Sequence, residues 1–99
     1  MKNKINKKKQ IKETLVVITY PYEFRMTGYY QVLAKKAEKF EGEATGGGCF
    51  VKIGSGEEPE MYDQDFHFKS KANAKKFAMS CKRLKAVERI WIDGKTIKE

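Results

Sequence analysis

The sequence is short of several residue types, and each shortage removes a class of function. In 99 residues there are one histidine, two cysteines and two prolines. With His67 as the single imidazole, there is little from which to assemble a base, a nucleophile or a metal site in a pocket. Cys49 and Cys81 match no paired-cysteine metal spacing. Both sit in apolar settings and read as small buried hydrophobes of a reducing compartment, with a disulfide as the alternative. No apolar run approaches the ~18–20 residues of a membrane span. "TLVVITY" follows a lysine-rich start as in a signal peptide, but it is short, ends at Pro21 and lacks a small-residue cleavage site. The expectation is a cytoplasmic protein that does not enter a membrane.

Acidic residues are missing from two stretches, 1–12 and 69–87. The formal charge of +8 is therefore segmented: +6 over residues 1–12, +1 over 13–40, −6 over 41–68 and +7 over 69–99. "MKNKINKKKQIK" has no apolar face and reads as a mobile basic arm over residues 1–12, carrying Lys7, Lys8 and Lys9. The remainder, 13–99, makes one domain, long enough to bury roughly 60–65% of its unfolded surface.

Within that domain the hydrophobic pattern predicts six elements. Residues 14–20 are β-branched and apolar on both faces, as in a central strand. A helix follows, capped by Thr27, with Tyr30, Leu33, Ala37 and Phe40 at helical spacing and Gly42 closing it. "GGGCFVKI" predicts a second strand. Its glycines lack the Gly-Lys-Ser/Thr ending of a phosphate loop, and they read as a flexible approach or a bulge. After the acidic loop "GSGEEPE", residues 61–69 alternate as a third strand, and Ser70 can cap a second helix. That helix carries Ala74, Phe77, Ala78, Cys81 and Leu84 on one face. "VERIWIDG" predicts a fourth strand. The order β-α-β-β-α-β predicts an α+β, ferredoxin-like fold: a four-stranded antiparallel sheet with two helices on one face.

"YDQDFHFKSKANAKKF", residues 62–77, resembles the RNA-recognition motif in spacing. With Phe68 on the last aromatic position of the third-strand octamer, Ser70 follows the strand and Ala74 takes the first core position of the next helix. The resemblance implies the fold. It does not extend to RNA binding on the sheet, because Asp63 and Asp65 replace the two rings that stack bases, worth about 1–3 kcal/mol each. Two carboxylates there repel a phosphate backbone.

Alternation places Asp63, Asp65 and His67 on the uncovered side of strand three, with Arg89 and Trp91 on that side of strand four. Trp91 beside Phe50 would give a protein-binding face an apolar anchor with a polar rim. Asp63, Asp65 and His67 read as a solvated row rather than a metal site, since metals draw ligands from several elements. On the second helix, Lys71, Lys75 and Lys82 fall within an arc of about 40°, and Lys76 and Arg83 make a second row beside Met79. An outer face of mixed sign would be ordinary; an acid-free one favours phosphates.

Two functions follow as expectations, neither enzymatic and neither needing a cofactor. One is a nucleic-acid-associated protein that holds RNA or DNA phosphates, without reading sequence, through the arm and the second helix. The other is a protein binder or inhibitor using Phe50, Asp63, Asp65, His67, Arg89 and Trp91 against a nucleic-acid-processing complex or a second copy of the chain. Small inhibitors from phages, anti-CRISPR proteins among them, include ferredoxin-like examples that this chain resembles in size and layout.

Overall fold

The computed structural model describes residues 13–51 and 60–98, the side chains of Cys49, Phe50, Val51 and Glu60 excepted. The arm with Lys7, Lys8 and Lys9 lies outside the described residues. The chain forms β1 (Thr14–Pro21), α1 (Tyr22–Met26), α2 (Tyr29–Glu38), β2 (Gly42–Val51), β3 (Glu60–Phe68), α3 (Lys71–Lys82), β4 (Arg89–Ile92) and β5 (Lys95–Lys98). All pairings are antiparallel, and the sheet order is β2-β3-β1-β4-β5.

The expected four-stranded ferredoxin-like sheet with two helices is therefore corrected: the described residues form five strands and three helices. Two short stretches cause the difference. Asp93 (φ 43°) and Gly94 (φ 90°) both take positive φ, the requirement of a two-residue hairpin turn. The chain reverses there, and residues 95–98 pair with β4 instead of trailing away. Lys98 then donates from its ammonium to the carbonyls of Lys82 (3.0 Å) and Leu84 (3.2 Å), satisfying acceptors at the end of α3.

The other departure follows β1. Pro21 ends β1 and is also the N-cap of the short helix α1, its backbone still extended (φ −61°, ψ 137°). Thr27 ends that helix rather than starting the next, its hydroxyl donating to the Phe24 carbonyl at 2.9 Å. Gly28, at φ 98°, is the N-cap of α2. At the far end of α2 the left-handed residue is Glu41 (φ 64°), not Gly42. Gly42 instead opens β2, where a Cβ would collide with the ring of Phe68. The register of β2 slips between Ala44 and Gly46, a bulge in the glycine stretch as its composition suggested.

Ser70 caps α3 as its sequence predicts, accepting from the Asn73 amide at 3.1 Å. The buried face of α3, Ala74, Phe77, Ala78 and Cys81, packs on Val16, Ile18, Phe66, Phe68, Ile90 and Ile92 from the sheet. Phe77 sits between Phe66 and Phe68, with ring centroids at 4.8 and 5.2 Å. One polar residue, Gln64, is fully buried with its amide paired at both ends. It accepts from the Tyr20 hydroxyl at 2.6 Å and donates to the Tyr30 carbonyl at 3.1 Å. Around it gather all five tyrosines of the chain, Tyr62 touching Tyr20, Tyr22 and Tyr30. The Arg25 guanidinium lies 5.2 Å from the ring of Tyr30 and 5.0 Å from that of Tyr62, which ties α1 down over this cluster.

Candidate functional site

Helix α3 offers the sheet its apolar stripe and turns its other side outward. Lys71, Lys75, Lys76, Lys82 and Arg83 are all exposed. Four of them, Lys75, Lys76, Lys82 and Arg83, line one groove with Phe40 and Met79, of about 580 Å³. No acidic residue lines it, and among the described residues no carboxylate stands within ion-pair distance of these cations. Lys82 and Arg83 also sit at the C-terminal end of α3, where positive charge complements the helix dipole.

Phe40, the last of the helical series, does more than pack against the core. It follows the C-cap of α2, rests on Phe77 with ring centroids 6.3 Å apart, and also forms the wall of the groove. Its place last in the helical series, where a helix frays into the surface, is the signal that could have marked it. Lys71 stands apart from the other four cations, in a notch with Glu13, Thr14, Lys69 and Asp93. Lys36, half-buried, is near enough to Cys81 to favour its thiolate. Burial outweighs that effect and pushes the thiol up to about 11, so Cys81 is a neutral, inert part of the core.

Across the sheet, register aligns the other predicted residues in rows. Asp63 and Arg89 flank Thr19, while Asp65 and Trp91 flank Val17. The Thr19 hydroxyl donates to Asp63 at 2.6 Å. Asp65 is held above the ordinary carboxylate range, first by desolvation and then by the charge of Asp63, with His67 pulling the other way. His67 approaches Glu13 at 3.2 Å through Nδ1. Asp63, Asp65, His67 and Trp91 are half-buried, and Arg89 is exposed.

Phe50 does not join Trp91. It pairs with Met61 in β2, whereas Trp91 belongs to the row of Val17, Asp65 and Gly46. Three strand spacings and several residues along the sheet separate them, on the order of 20 Å. The Phe50 side chain itself lies outside the described residues. Among the described residues no three His, Cys, Asp or Glu side chains converge as a metal site.

A depression at the end of the sheet, lined by Glu13, Glu41, Glu43, His67 and Lys69, is slightly larger than the groove on α3, at about 620 Å³. Size does not rank the two for an anionic ligand; charge does. Three carboxylates oppose a phosphate in the sheet-end depression, and four cations attract it on α3. Among the described residues no helix is long and apolar enough to cross a membrane. No protein-family model matches the chain, and no curated protein matches it.

Proposed function

We propose that the protein is a non-enzymatic, cytoplasmic nucleic-acid-binding protein that holds phosphates through the outer face of α3, assisted by the lysines of residues 1–12. One observation carries this reading: Lys75, Lys76, Lys82 and Arg83 converge on a single groove that no acid lines. A solvated helix surface gains from mixed-sign pairs at three- and four-residue spacing, and α3 has none, since residues 69–87 contain no acid. Contacts of this kind fix a backbone without reading bases, so the partner is RNA or DNA of any sequence. The test is anisotropy binding to duplex DNA across a salt series. Each cation on a phosphate contributes about 0.9 to the slope of log K against log salt. Changing Lys75, Lys76, Lys82 and Arg83 to glutamine should flatten that slope by about three to four and weaken binding at physiological salt at least tenfold. Changing Lys7, Lys8 and Lys9 should take away a further two to three. An unchanged slope in both variants would refute the reading.

A second reading is a protein binder or inhibitor acting on a nucleic-acid-processing complex through the uncovered sheet face. The row formed by Asp65, Val17 and Trp91 supports it, an apolar centre with a charged side. Trp91→Ala separates the two readings, since it should abolish capture of such a partner and leave the salt slope for DNA intact.

A further inference from the structure

Phosphate binding alone needs cations, and the groove on α3 contains more than cations. Its lining combines the ring of Phe40 and the thioether of Met79 with the four charged side chains. Met79 is 53% exposed, among the most exposed large apolar side chains of the described residues. By helical geometry it projects between the row of Lys75 and Lys82 and the row of Lys76 and Arg83. Apolar surface flanked on both sides by cations suits a ligand that is itself apolar in the middle and anionic along its edge.

A duplex does not offer that surface, because its bases are stacked inside and its phosphates and sugars meet the protein first. A single strand does. Its bases carry free faces that rest on aromatic and apolar side chains while the backbone follows the charges. We propose that this groove takes single-stranded nucleic acid, with its phosphates on Lys75, Lys76, Lys82 and Arg83 and its bases against Phe40 and Met79. The assignment rests on the phosphate-binding reading above and narrows it to unpaired strands.

The site lies on the helix-covered side of the sheet, opposite the strand surface where Asp63 and Asp65 stand. Charge explains that choice: the strand surface carries carboxylates at the positions a base would approach, and the groove carries none. The occupied length is short. A helix of 12 residues is about 18 Å long, so the groove engages a few nucleotides.

The experiment uses the full chain and four probes of equal length and label: oligo(dT), oligo(U), an abasic single strand, and a duplex. At one physiological salt concentration, the two base-bearing single strands should bind about tenfold or more tightly than the duplex and the abasic strand. Met79→Ser and Phe40→Leu, which keeps an apolar side chain on Phe77, should each erase most of that preference and leave the salt slope unchanged. Melting curves of both variants verify that they fold. If the abasic strand or the duplex binds as tightly as oligo(dT), with a steep salt slope, the single-strand assignment is overturned and phosphate binding stands. If no probe binds at physiological salt, both fall.

Discussion

Gln64 shows how much one side chain can decide. A fully buried amide is tolerated because the Tyr20 hydroxyl and the Tyr30 carbonyl satisfy it. Tyr20→Phe should therefore cost about 1–3 kcal/mol by stranding the amide oxygen, and Gln64→Leu a similar amount by stranding the tyrosine hydroxyl. The double variant should cost less than the sum by about 1–2 kcal/mol, measurable by urea denaturation. Asp65 gives a pH-dependent counterpart. Its carboxyl is raised above the ordinary range by desolvation and by Asp63, so the folded state binds a proton that the unfolded state has released. Stability then falls as pH rises from the unfolded value through the folded one, and the charged carboxylate is a penalty at neutral pH. Asp65→Asn should raise the melting temperature at pH 7, and that advantage should fade as pH drops below the ordinary aspartate value of about 4. An advantage independent of pH would place its origin elsewhere than in this charge.

Among the elements, β2 depends on single glycine positions. At Gly47 a Cβ would run into the carbonyl oxygen of Asp63 on the neighbouring strand, while at Gly48 there is open space. Gly47→Ala should destabilise the fold by more than about 2 kcal/mol, and Gly48→Ala should stay within about 0.5 kcal/mol, a contrast read from thermal melts. The sequence could not separate these two glycines, since adjacent identical residues differ only by which carbonyl lies opposite. It was more informative for α3, where the Ser70 cap and the apolar stripe from Ala74 to Cys81 both follow local rules. Strand β5 was legible in principle and missed: Asp93-Gly94 is a hairpin signal, but the four residues after it carry two lysines and little apolar character. Helix α1 left a weaker trace, because five residues after a proline are too few to show a period.

Across the whole fold, the charge of the described residues is divided between two sides of one sheet. Cations fill the groove on α3, and carboxylates stand on the strand side and at its end. The exposed cations of α3 lend little net stability, because like-charge repulsion along the helix offsets the favourable placement of Lys82 and Arg83 at its C-terminal end. Glutamine in place of Lys75, Lys76, Lys82 and Arg83 should leave the melting temperature unchanged at high salt and shift it by no more than a degree or two at low salt. A large loss of stability would assign these side chains to packing instead of to a ligand. This separation was readable from charge order along the chain. The division of Lys71 from its neighbours and the presence of Phe40 in the groove were not: the first depends on how the start of α3 meets β1 and the β4–β5 turn, the second on how α2 ends against α3.

The position of β1 bears on how the protein comes into being. It lies at the centre of the sheet, yet it precedes both strands that flank it. Val17 waits for Asp65 on one side and for Trp91 on the other. During synthesis this β-branched segment leaves the ribosome with both edges open, and its partners appear seconds later at ordinary elongation rates. No local hairpin can shelter it. Folding is therefore nearly all-or-none in chain length, and a nascent chain halted before β4 would expose "TLVVITY" to any chaperone within reach.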